Sequence, residues 1–178
     1  TPITGLNVSG TSQIVSQIPN FGSGVNTVGI TALGTDIVGA SAVDASGNIW
    51  YATTAGLMKS IDGGMTGTLK DAIANSMLQS AVLVAANGYI YWGPWNYGKF
   101  RRSTDGGVTW ADVGTYTAGA QVSGPWGFCE DLIGYIYAAI YTAAGVYQQV
   151  ILRSTDNGAN WTTSYSGAGQ HMHDVACD

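Results

Sequence analysis

Positive charge is scarce in this chain. Of its 178 residues only six are lysine or arginine, against eleven aspartates and glutamates, so the net charge is −5. The six cations form no long run, so no basic field is available for a phosphate backbone, and nucleic acid drops out of the expected partners. Long apolar stretches are also missing. A membrane helix needs roughly 18–20 uninterrupted apolar residues, and the longest candidate, "SAVLVAANGYIYWG", is broken by Asn87 and Gly88, so no membrane span is expected. Cysteine is limited to Cys129 and Cys177. Without CxxC spacing they make no zinc site; they read as two buried thiols, with one disulfide as the alternative in an oxidising compartment. The signatures GxSxG and HExxH, a phosphate-binding loop and a dinucleotide fingerprint are all lacking, and no cofactor is expected.

What is present is a strand-and-turn composition. Hydrophobic residues make up 46% of the chain, but 26 glycines keep the apolar runs short. That mixture favours β-structure over helix, and the length suits one domain.

A turn recurs three times. It reads "KSIDGGMTG" around Asp62, "RSTDGGVTW" around Asp105 and "RSTDNGANW" around Asp156, at spacings of 43 and 51 residues. Upstream of each copy the same features follow in order: an apolar segment, a turn with Gly47, Gly88 or Gly134, an aromatic-rich strand, a loop, and a strand leading into the repeated turn. A helix would show a 3.6-residue period, whereas these runs are short, β-rich and punctuated by Gly and Asn. Each unit is therefore expected to be four antiparallel strands, with the repeated turn joining the third to the fourth. A period of about 40–50 residues of this kind is that of a propeller blade.

Ser/Thr-x-Asp-x-Gly-x-x-Trp resembles the Asp-box, or BNR repeat, of sialidase-like β-propellers. The second and third copies match it in full, through Ser103, Asp105, Gly107 and Trp110, and through Ser154, Asp156, Gly158 and Trp161. The first keeps Ser60, Asp62 and Gly64 but has Gly67 in place of Trp. Such residues are read as structural: Ser and Asp cap turn amides, Gly supplies positive φ, and Trp fills the gap between blades. Lys59, Arg102 and Arg153, just before the boxes, are read as flanking surface residues. The expected fold is all-β, a propeller of about three blades over residues 36–75, 76–121 and 122–168, within a unit spanning residues 31–178. Residues 169–178 would begin a fourth blade. Residues 1–30 contain no box and are read as a leader or closing strand.

Three blades do not close a ring, which typically takes four to eight. The expectation is a piece of a longer polypeptide, or a protomer whose ring another chain completes through its open strand edges. The chain starts at Thr1 without Met, which fits a processed precursor or a fragment. Sequons at Asn7 and Asn160, few lysines and abundant Tyr, Thr and Gly suit a secreted, cell-surface or virion-surface glycoprotein.

Blade topology places the boxes on one face. The loops between second and third strands, and the segments where each blade begins, fall on the other. In sialidase-like propellers that box-free face carries the active site, so the resemblance directs attention to residues 53–56, 93–99 and 142–148, and to Asp36, Ser76, residues 123–126 and residues 171–174. Within this set Trp95, Asn96, Tyr97 and Trp126 put aromatic faces beside amide groups, which suits the stacking and hydrogen bonding of sugars. In "HMHD", His171 and His173 would project from one strand face. They are read as ligand-binding or channel-lining groups, and as weak candidates for a metal that would need a third ligand. The alternative is that the aromatics pack under their own loops and the histidines are ordinary polar residues.

Catalysis is the rival reading. Sialidases need three arginines, an aspartate and a tyrosine–glutamate pair, yet "SQIPNF" carries Gln17 where the family's motif has arginine, and Arg101, Arg102 and Arg153 sit beside the boxes. "GTDIVGA" resembles the stretch that holds a catalytic aspartate in xyloglucanase-type propellers, making Asp36 a weak candidate, although Val38 interrupts the glycine pair. Inverting hydrolysis needs two carboxylates about 6.5–9.5 Å apart, and a partner for Asp36 is not evident. The expected function is a noncatalytic extracellular module binding a glycan or surface polysaccharide, or serving protein assembly. A glycoside hydrolase fragment and a structural shell or fibre subunit are the alternatives.

Overall fold

The structure is a computed structural model that describes residues 39–74, 80–95, 97–115, 122–142, 148–168 and 174–178. Among these residues the chain forms three four-stranded antiparallel sheets in a β-propeller-like arrangement. The first contains β1 (Ser41–Val43), β2 (Ile49–Thr53), β3 (Gly56–Ser60) and β4 (Thr68–Asp71). The second contains β5 (Ala81–Val84), β6 (Ile90–Gly93), β7 (Lys99–Ser103) and β8 (Ala111–Thr115). The third contains β9 (Val122–Glu130), β10 (Ile136–Thr142), β11 (Gln148–Ser154) and β12 (Thr162–Ala168). Strands pair in sequence order within each sheet, and β5 lies against both β1 and β9, so the first strands are neighbours. The expected leader at residues 1–30 lies outside the described residues.

Strand alternation explains how the central sheet is buried on both faces. Ile90 and Trp92 point to the first sheet, where they pack with Trp50, Ala52 and Leu57. Tyr91, between them, points to the third sheet and joins Phe100, Phe128, Ile136, Ala138, Ile140 and Leu152. A strand buried on both sides reads as a continuous apolar run, which is why "IYW" shows no polar alternation.

Two kinds of turn close each sheet at one end. Between first and second strands, Gly47, Gly88 and Gly134 adopt φ of 80°, 82° and 84°. Their amides donate to the carbonyls of Asp44, Ala85 and Asp131. In the first and third sheets the aspartate also accepts two backbone amides through Oδ1: Ser46 and Asn48 onto Asp44, Ile133 and Tyr135 onto Asp131. Burial pushes the Asp44 carboxyl up, but hydrogen bonds from Asn48 and Trp50 outweigh it and hold its pKa at about 2.

The repeated turns lie at the same end, between third and fourth strands, with one wiring in all three. Ser60, Ser103 and Ser154 each donate Oγ–H to the aspartate two residues on, at 2.7–2.8 Å, and accept the amide of Gly64, Gly107 or Gly158 at 2.8 Å. The aspartate accepts the amide and the side chain of the residue four positions on: Thr66, Thr109 or Asn160. For Asp62 and Asp105 the side chain of that residue, and for Asp156 its backbone amide, is the leading reason the carboxyl sits at about 2.

Each repeated turn after the first also seats on the sheet before it. Trp110 meets Trp50 edge-on with centroids 6.4 Å apart, and Trp161 meets Phe100 at 4.7 Å. Gly107 faces the Trp50 ring and Gly158 the Tyr91 ring so closely that a Cβ at either would overlap it. The first turn has Gly67 in the Trp position and, among the described residues, no preceding sheet to pack on. Lys59 and Arg102, expected as flanking surface residues, take part in this packing. Lys59 lies 4.7 Å over the Trp50 ring, and Arg102 donates to the Asn157 carbonyl of the next sheet.

The terminal segment 174–178 runs along β9. Asp174 and Val175 occupy the space where a Cβ on Gly127 would go, and Cys177 is joined to Cys129 in a disulfide. The reading as two buried thiols is therefore corrected: a segment packed this closely brings the Cα atoms to 5.7 Å, within bonding range. Phe128 faces the second sheet, so Gly127 and Cys129, one residue to either side, turn toward the tail on the opposite face.

Candidate functional site

At the end away from the repeated turns, the tripeptide Gly-Pro-Trp occurs twice, as Gly93-Pro94-Trp95 beginning on the last residue of β6 and as Gly124-Pro125-Trp126 within β9. The two copies meet. The Pro125 ring fills the space that a Cβ on Gly93 would need, and Pro94 and Pro125 are both fully buried. Proline holds φ near −65°, so these anchors direct the chain that follows. Trp95 and Trp126 then stand edge to face with centroids 6.0 Å apart and planes at 88°, both half-buried. Their arrangement is the T-shaped one favoured by the ring quadrupoles.

Beside this pair lies a polar network on the second sheet. Tyr97 donates its hydroxyl to Asp112 Oδ1 at 3.0 Å, and Lys99 Nζ lies 2.9 Å from Asp112 Oδ2. Arg101 reaches Asp112 through one nitrogen at 2.8 Å and grips Asp71 of the first sheet through two others at 2.8 and 3.0 Å. Asp71, only 7% exposed, also accepts the Trp92 indole N–H at 2.8 Å. Burial raises the Asp112 carboxyl, but hydrogen bonds from Lys99, Arg101 and Tyr97 hold it at about 2. It is an anion near neutral pH, and the hydrogen bonds to Asp71 first, with those to Asp112 adding to them against burial, raise the Arg101 pKa. The arrangement clamps the first sheet to the second, and places Arg101 in a role that its position next to a repeated turn does not suggest.

Of the residues read from sequence as ligand-binding, the structure brings Trp95 and Trp126 together and turns the Tyr97 hydroxyl to Asp112. Asn96, His171, His173 and Asp36 lie outside the described residues, as does Ser76. Among the described residues no group of three His, Cys, Asp or Glu side chains is placed to hold a metal ion. Sequence reasoning passed over Ser80. It immediately precedes β5, and the pairing of Ala81 with Gly93 sets it opposite Pro94, at the same end as the tryptophans. Its hydroxyl is buried, with the residue 5% exposed, and has no hydrogen-bond partner among the described residues. The doubled Gly-Pro-Trp was the available signal for the pair; a lone serine before a strand carries none.

No family model and no curated protein matches the chain. Solved structures do. A Dyadobacter fermentans protein of unknown function aligns with 69% of this chain and 48% of its own, at 17% identity and a TM-score of 0.53. That likeness is one of fold alone. A catalytically inactive virginiamycin B lyase from Staphylococcus aureus, with quinupristin, aligns over 72% of this chain and 55% of its own, at 14% identity and a TM-score of 0.44. A fucose lectin from Kordia zhangzhouensis in complex with methyl-fucoside aligns over 72% of this chain and 99% of its own, at 15% identity and a TM-score of 0.41. The chain thus spans about half the length of the Dyadobacter protein and of the lyase.

Proposed function

We propose that this chain is a noncatalytic Asp-box (BNR-repeat) propeller portion that acts outside the cell and binds glycan on the face away from its repeated turns. The observation that carries the reading is the Trp95–Trp126 pair, two half-buried indoles at right angles on adjoining sheets, held by buried prolines. Sugar rings stack their CH faces on such surfaces and hydrogen-bond at the edges. The Cys129–Cys177 disulfide supports an oxidising compartment. The test is calorimetric titration with a panel of oligosaccharides on the native chain and on W95A and W126A. Replacing either tryptophan is expected to weaken binding by about tenfold or more, in keeping with the loss of more than about 1 kcal/mol on truncating an aromatic anchor of a recognition surface. Unchanged affinity in both variants, with the fold intact, refutes the site.

A second reading, protein assembly, draws on apolar side chains at the turns of the two outer sheets. Ile61 and Met65 are 79% and 60% exposed on the first, and Leu132 and Ile133 92% and 72% on the third. A further blade on the third sheet, from another chain or from more of the same polypeptide, would reach Leu132 and Ile133, as the third sheet's Asn157 and Glu130 reach Asn87 and Ala86 of the second. Light scattering on the native protein decides between a lone protomer and an assembly.

A further inference from the structure

We infer that the Trp95–Trp126 surface takes a neutral sugar and discriminates against sialic and uronic acids. This rests on the glycan reading and narrows it. The argument is an accounting of cations. The chain has six lysines and arginines, and all six fall among the described residues. Lys59, Arg102 and Arg153 immediately precede the repeated turns, at the end opposite the tryptophans. Lys59 is held between Asp44 at 3.6 Å and the Trp50 ring, Arg102 donates to the Asn157 carbonyl, and Arg153 lies 5.7 Å over the Tyr135 ring. Lys70 is on β4, the outermost strand of the first sheet, whereas the tryptophans belong to the second and third.

Lys99 and Arg101 remain, on the same sheet as Trp95. Both are paired: Lys99 at the surface with Asp112, and Arg101, largely buried, with Asp112 and Asp71. Two cations face two carboxylates, so the network cancels its own charge. Recognition of a sugar carboxylate calls for a free guanidinium fork or ammonium, because an anion that gives up hydration without a counter-charge is bound at a net loss. Releasing Arg101 for that purpose would strand Asp71 in the interior.

The experiment pairs sugars that share a skeleton and differ in charge: glucose-based against glucuronic-acid-based oligosaccharides, and galactosides with and without a terminal sialic acid. Titrations are run on the native chain at about pH 8, where imidazoles are neutral. The expected result is binding of the neutral member, its acidic counterpart weaker by about tenfold or more, and an affinity that changes by less than about twofold between low and high salt. Equal or tighter binding of the acidic member, or an affinity that falls steeply with salt, overturns the inference and leaves the glycan reading standing. Binding of neither class overturns both.

Discussion

Gly106 and Gly107 are neighbours in the second repeated turn and separate two contributions to stability. Both have positive φ, 71° and 83°. A Cβ on Gly106 would meet nothing within 4 Å, whereas one on Gly107 would lie 2.8 Å from Cζ3 of Trp50 and closer still to Cη2. Trp50 is fully buried and its indole N–H is tied to Asp44, so the ring has little freedom to retreat. For G106A the cost is the left-handed backbone, about 1–2 kcal/mol, offset by about 0.4–1 kcal/mol from a stiffer unfolded chain, leaving about 1 kcal/mol. G107A carries the same backbone term and adds overpacking of about 1–3 kcal/mol, for a total of about 2–4 kcal/mol. Denaturant unfolding followed by tryptophan fluorescence and circular dichroism gives both values against the native chain. The reasoning is refuted if the two variants lose equal stability, because the seating of one sheet's turn on the ring of the sheet before it would then contribute nothing.

Breaking the Cys129–Cys177 bond, by reductant or by paired serines, opens a span of 48 residues, and the chain-entropy relation puts the loss at about 4 kcal/mol; a thermal midpoint indifferent to reductant contradicts this. R101M leaves Asp71 buried without its partner and is expected to cost about 3–5 kcal/mol, so a loss below about 1 kcal/mol in urea unfolding would show that the clamp is not a stabilising contact. Asp62, Asp105 and Asp156 have folded values near 2, below the ordinary value of about 3.9. A depressed carboxyl contributes stability above its unfolded pKa and loses it as pH falls toward the folded one, so stability should decline between about pH 4 and about pH 2. D105N should flatten part of that decline, and an identical acid profile for native and variant chains would count against the turn hydrogen bonds.

The parts of this protein that its sequence determines are those made by residues close in the chain. In each repeated turn the serine, aspartate, glycine and following Thr or Asn bond within four positions of one another, so the wording of the turn is its geometry. Strand order follows, because short loops make consecutive strands antiparallel neighbours. Contacts between sheets are of a different kind. Arg101 and Asp71 are 30 residues apart, and Cys129 and Cys177 48, and nothing in their local wording tells which partner stacking will supply. The doubled glycine shows the limit most plainly: Gly106 and Gly107 read alike, and only the docking of one sheet on the next leaves the first in open space and sets the second against a tryptophan. The same docking brings Trp95 to Trp126, so the candidate site exists only where two sheets meet.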